Sequence, residues 1–182
     1  MKKKAPKSIT EEKEIPAGVE VEINGQEIAV KKGGKEIRKK MPRVSMEKKE
    51  NKIVVNTMGA TKRERKQINT IIAHISNMIS GLETDYIYKL QICSVHFPMN
   101  VSVKDNFVVI KNFLGETRER KARILDNAKV TIDRDIITVA SPDKEAAGQT
   151  AANIEKKTRT RNKDRRIFQD GIYMTEQAGT KL

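Results

Sequence analysis

The chain has 182 residues, 37 Lys and Arg against 24 Asp and Glu, a formal net charge of +13, and only 4% aromatic residues. A positive surplus this large calls for a polyanionic partner, either nucleic acid or an anionic membrane surface. No segment approaches the roughly 20 consecutive apolar residues of a membrane span, so nucleic acid is the stronger reading. One cysteine, Cys93, excludes an internal disulfide and fits a reducing cytoplasm. Met1-Lys2-Lys3-Lys4 has no apolar run behind it to make a secretory signal.

Residues 1–14 are charged and poor in apolar side chains, which predicts a disordered or RNA-ordered tail. From Val19 the pattern alternates: Val19, Val21 and Ile23, then Asn24-Gly25, then Ile28 and Val30, the mark of a hairpin. Gly33-Gly34 makes the next turn and Ile37 belongs to another short strand. Val44 and Met46 pair with Ile53 to Val55 in a second hairpin around Glu50-Asn51. Ile68, Ile71, Ile72, Ile75, Met78 and Ile79 recur at spacings of three and four and draw one apolar helical stripe, with Gly81 placed to end it. Tyr86, Tyr88, Leu90 and Ile92 then alternate along a long strand that leads into His96-Phe97-Pro98.

The order then repeats with a period of about 82 residues. Pro16 is followed by Val19 and Val21, and Pro98 by Val101 and Val103. Asn24-Gly25 answers to Asp105-Asn106, Ile28 to Val30 answers to Val108 to Ile110, and Gly34 answers to Gly115. Ile53 answers to Ile136, and Ile72 to Ile154 in a second helix. Shared order over six features predicts a tandem duplication. Strands before one helix in each copy predict α+β units with small antiparallel sheets, one face packed on the helix and one face wet. The expected division is a tail over 1–14, a first domain over 15–83, a second over 84–176 with a basic C-terminal segment, and a short tail over 177–182.

Catalytic and metal chemistry find no constellation. One Cys and two His cannot supply a four-ligand zinc site. His74 lies beside the helical stripe and reads as a packing or surface residue. Cys93 and His96, three apart in a strand, fall on opposite faces, so Cys93 reads as a buried small hydrophobe. Gly33-Gly34-Lys35 lacks the first glycine and the hydroxyl residue of a phosphate loop. No carboxylate pair stands in an apolar setting.

The cations are more informative. Lys62, Arg63, Arg65 and Lys66 open the first helix, where an external phosphate would meet both them and free amides; a solvated helix face fits them equally well. Arg118, Arg120, Lys121 and Arg123 form a second group, with Arg118 and Arg120 expected on one side of a strand. Lys156, Lys157, Arg159, Arg161, Lys163, Arg165 and Arg166 crowd into eleven residues against Asp164 alone. Their mutual repulsion needs a polyanion to offset it. Ile167-Phe168 and Ile172-Tyr173 beyond them are expected to anchor the segment. Few aromatics and no recognition helix leave phosphate and shape recognition of folded RNA. Three uses of such a chain come into view: a structural protein held on folded RNA, a free assembly factor or chaperone, and an RNA-processing enzyme, the last disfavoured for want of a carboxylate cluster.

Several runs carry a resemblance. Ile75-Ser76-Asn77-Met78-Ile79-Ser80-Gly81, Tyr88-Lys89-Leu90, Val95-His96-Phe97-Pro98, Asn112-Phe113-Leu114-Gly115-Glu116 and Asn162-Lys163-Asp164 through Asp170-Gly171-Ile172-Tyr173 resemble the large-subunit ribosomal protein six family in its archaeal and eukaryotic form. The likeness runs from about residue 15 to 176. The glycine–lysine–glycine end of bacterial members is missing. The resemblance implies two units, each built around a single core. It implies a structural, non-catalytic role on the large subunit, with no cofactor. Large-subunit rRNA would be bound mainly through the second unit, near the sarcin–ricin loop and stalk base. Neighbouring ribosomal proteins would lie alongside, translation factors would dock nearby, and the chain would be a monomer within the cytoplasmic ribosome.

Overall fold

The computed structural model describes residues 8–182 other than Arg43, Met58, Ala60 and Arg165. The chain divides into two units between Glu83 and Thr84. Each is α+β, with two antiparallel sheets and one α-helix, as the alternation predicts.

The first unit runs β1 (Ile9–Glu14), β2 (Glu20–Asn24), β3 (Glu27–Lys32), β4 (Lys35–Lys40), β5 (Ser45–Lys49), β6 (Lys52–Thr57) and α1 (Lys62–Glu83). Its sheets are β2-β3-β4 and β1-β6-β5. Gly33 and Gly34, with φ of +57° and +84°, close β3 to β4 in the two-residue turn that only a left-handed pair can make. Helix α1 begins with a capping box: Thr61 N donates to Glu64 Oε2 at 2.9 Å, and Glu64 N donates to Thr61 Oγ1 at 3.3 Å. Its Ile68, Ile71, Ile75, Met78 and Leu82 close the core over Val21, Ile28, Val30, Ile53 and Val55. The helix does not stop at Gly81. Leu82 follows it into the core, and that burial outweighs the roughly 1 kcal/mol that glycine costs a helix.

The expected tail through residue 14 also gives way. Residues 9–14 form β1, antiparallel to β6 with Ile9 opposite Thr57 and Glu14 opposite Lys52. Its charged side chains hid it, because an edge strand buries little of itself; Ile9 packs on the core and Lys52 pairs with Glu12 at 3.2 Å. Residues 1–7 of that tail lie outside the described residues.

The second unit runs β7 (Tyr86–Cys93), β8 (Asn100–Lys104), β9 (Phe107–Lys111), a 3-10 turn (Phe113–Gly115), β10 (Arg120–Arg123), β11 (Lys129–Asp133), β12 (Ile136–Ser141), α2 (Lys144–Lys157), β13 (Gly171–Gln177) and β14 (Thr180–Lys181). Its sheets are β8-β9-β10 and β11-β12-β7-β13-β14. Asp143 caps α2 by accepting from Glu145 N at 2.9 Å. The buried face of α2 is mostly small, Ala146, Ala147, Thr150, Ala151 and Ile154, so the helix lies close to its sheet. A Cβ on Gly148 would stand 3.1 Å from Tyr88 Oη. Residues 180–181 pair with the end of β13 and are the edge of that sheet, not a free tail.

Strands β2 to β6 and α1 recur as β8 to β12 and α2. Strand β1 on β6 matches β7 on β12, so the extended run after the first helix opens the second unit. The match of Ile53 to Ile136 is out by one: Ile53 and Val55 are buried, and so are Ile137 and Val139, while Ile136 is exposed. A one-residue slip exchanges the faces of a strand. The copies differ in two places. The β3–β4 turn is Gly33-Gly34, but β9 and β10 are joined by residues 112–119. After α2 the chain adds residues 158–170 and then β13, which pairs with β7.

Candidate nucleic-acid interface

Those two additions meet. An open cleft of about 1020 Å³ is lined by Phe113, Leu114, Glu116, Arg118, Glu119, Arg120 and Lys121 from one, and by Lys156, Lys157, Arg159, Thr160, Arg161 and Lys163 from the other. Eight of the lining residues are cations and two are acids. The second unit holds 18 Lys and Arg against 13 Asp and Glu, and eleven of those cations fall within 118–123 and 156–166, with only Glu119 and Asp164 among them; eight of the eleven line the cleft.

The cations are not equivalent. Arg120 is tied to the protein. Its Nε and Nη2 donate to the two Glu116 carboxylate oxygens at 2.8 and 2.5 Å, its Nη1 donates to the Lys157 carbonyl at 2.6 Å, and its guanidinium lies 4.2 Å from the centroid of Phe113. Glu116, hydrogen-bonded to Arg120, is held below the usual carboxylate range. Arg120 therefore joins the loop before β10 to the last turn of α2. Arg118, Lys121, Lys156, Lys157, Arg159, Arg161 and Lys163 form no ion pair among the described residues, although Lys121 lies close enough to help lower Glu119. Lys156 and Lys157 sit in the last turn of α2, where the carbonyl end of the helix favours a cation. Lys163 rests 4.3 Å over the Phe168 ring.

The segment 159–169 is held from beneath by contacts that no local pattern announces. Asp170 is buried, and its Oδ1 accepts from Val95 N at 2.8 Å and His96 N at 2.9 Å. Its Oδ2 lies 2.6 Å from His96 Nδ1. Burial by itself would raise this carboxyl; the His96 amide, the His96 ring and the Val95 amide outweigh it and lower the pKa to about 2. The His96 ring stacks on Phe168 at 4.9 Å. Ile172 N donates to Thr158 Oγ1 at 2.9 Å. The anchors are thus Asp170, Phe168 and Ile172; Ile167 and Tyr173, expected to serve, are exposed.

Other expectations fare differently. Arg118 stands in a bend ahead of β10, so it shares no strand face with Arg120. Cys93 is half-buried. Arg123 lines a different depression, with Asp126 and Asp143. Arg166 is almost fully exposed, 3.9 Å from Asp164, and does not line the cleft. Arg165 lies outside the described residues. Lys62 and Arg63 belong to the first unit, where with Lys66 they edge a shallow depression. The helix amide offered there to a phosphate is partly used, since Glu64 N is taken by Thr61. His74 Nδ1 lies 2.9 Å from Lys39 Nζ, a part-buried contact. Among the described residues no cluster of His, Cys, Asp and Glu could hold a metal ion. No helix there is long and apolar enough to cross a membrane.

The chain matches the family described as ribosomal protein L6 over residues 15–84 and 97–171, a stretch in each unit. The chain belongs to that family. It is 42% identical over 176 residues to the large ribosomal subunit protein uL6 of Methanococcus vannielii, covering 96% of this chain and 97% of that protein. The uL6 proteins of Methanobrevibacter smithii and Sulfurisphaera tokodaii are each 44% identical, over 169 and 167 residues. These alignments cover 92% and 90% of this chain, and 95% and 90% of those proteins. Membership makes this a ribosomal, RNA-binding protein of the archaeal and eukaryotic type, with a structural and not an enzymatic part in translation. The first matched stretch includes the Gly33-Gly34 turn and the second the longer connection over 112–119, the place where the copies differ.

Proposed function

We propose that the chain is a structural constituent of the large ribosomal subunit that clasps large-subunit rRNA in the cleft between the β9–β10 loop and the segment after α2. The observation that carries the reading is the convergence, in one open cleft of a ribosomal protein, of seven cations that form no ion pair among the described residues. Arg118, Lys121, Lys156, Lys157, Arg159, Arg161 and Lys163 would take phosphates that a folded RNA brings close together, releasing counterions as they do so. Arg120 would hold the two walls at a set spacing. Arg165 and Arg166 would add contacts outside the cleft, and Lys62 and Arg63 a second, weaker contact from the first unit. The family resemblance adds the location: near the sarcin–ricin loop and stalk base, beside neighbouring ribosomal proteins and within reach of docking translation factors, as one copy in a cytoplasmic ribosome. Crosslinking of the full-length protein in intact large subunits tests both parts. Crosslinks from residues 156–163 to rRNA around the sarcin–ricin loop are expected, with the protein remaining on the subunit in moderate salt. Release in moderate salt would point to a free assembly factor, and crosslinks confined to other rRNA would overturn the location.

A further inference from the structure

Leu114 is an anomaly in the cleft. Its φ is +51° and its ψ +34°, a left-handed conformation that a branched aliphatic side chain rarely adopts. Asn112 and Gly115, close on either side, are also left-handed, and they are the residue types that this conformation favours. The Leu114 side chain packs in part against the core of the second unit, but its backbone opposes a leucine here, and the rest of its apolar surface is exposed on a cationic wall. The turn is bounded by its neighbours. Phe113 is fixed in the core, Glu116 is clamped by Arg120, and the ring of Phe97 lies 3.6 Å from where a Cβ on Gly115 would stand. Strain that the surroundings hold in place in this way gathers at sites that do something.

Resting on the rRNA-binding reading above, we infer that Leu114 is a specificity-determining contact: an apolar side chain held in the cleft to pack against the sugar and base face of a nucleotide whose phosphates the neighbouring cations grip. Phosphates alone have no use for it, because inorganic polyphosphate presents no apolar face. The cleft thus separates RNA from bare polyphosphates by one aliphatic contact, which carries no charge and so leaves the salt dependence unchanged.

The test measures binding of the full chain and its Leu114→Gly, Leu114→Asn and Leu114→Met variants to protein-free archaeal large-subunit rRNA and to inorganic polyphosphate, over a series of salt concentrations. Glycine and asparagine both accept the left-handed backbone, so if one variant folds poorly the other still decides the outcome. Both should lose about tenfold in rRNA affinity at every salt concentration, the scale of one aliphatic side chain left unburied. Their polyphosphate affinity and salt slope should match wild type, and Leu114→Met should bind rRNA within about twofold of wild type. Equal rRNA affinity in wild type and the glycine variant, or equal losses toward both polyanions, would overturn the inference. If wild type itself fails to bind rRNA, the reading beneath it has failed, a result distinguishable from the first two.

Discussion

Replacing Arg159, Arg161 and Lys163 together by alanine separates a phosphate grip from a merely solvated loop. Among the described residues Arg159 and Arg161 are exposed and form no ion pair, and Lys163 lies over the Phe168 ring, so the fold should survive. Seven cations in the cleft form no ion pair among the described residues. If each meets a phosphate, the logarithm of the binding constant falls with the logarithm of salt with a slope of about −6, using roughly 0.9 per contact. With four left, the slope becomes about −4. At about 0.1 M salt the three lost contacts amount to about 500-fold in affinity, and the deficit should shrink toward nothing near about 1 M. Filter binding or fluorescence anisotropy with large-subunit rRNA, from about 0.05 to about 0.5 M salt, reads both quantities, with circular dichroism to establish folding. A folded variant with an unchanged slope would refute the assignment. So would a loss that is the same at every salt concentration, since that is the mark of a disrupted surface and not of missing charge.

Two further perturbations address what holds the cleft in shape. Arg120→Ala should cost about 2 kcal/mol in urea unfolding, because it removes a paired, stacked, half-buried guanidinium, and Arg120→Lys should recover little of it. Its salt slope should change by less than one contact, since Glu116 already neutralises it; a full unit of change would make Arg120 a phosphate ligand instead. The Asp170 carboxyl titrates at about 2, below its ordinary 3.8. Its contribution of about 2 kcal/mol is therefore complete above about pH 4 and lost as the pH falls through about 2. Asp170→Asn should remove that acid-dependent part of the urea midpoint and lower the midpoint at neutral pH. A variant whose midpoint follows the wild-type pH curve would show that the His96 contacts do not stabilise the charged form.

Much of this molecule is legible in its amino-acid sequence. The wet and dry faces of β7, the isoleucine stripe of α1 and the duplication follow from backbone geometry alone. A strand repeats every two residues and a helix every 3.6, so whichever element forms writes its own period into the chain. The need for a polyanion is legible too, since net charge is independent of fold. The tertiary structure decided the rest. Strand β1 carries almost no hydrophobic signal and exists because β6 offers it an unpaired edge. The distance in sequence between Arg118 and Lys156 disappears because α2 packs against β10 and Arg120 reaches the Lys157 carbonyl. That one arginine of a basic run is already neutralised, that His96 meets Asp170 74 positions away, and that Leu114 is turned left-handed all depend on which surfaces meet. Contacts between distant residues are selected by packing, and packing leaves no period in the sequence to read.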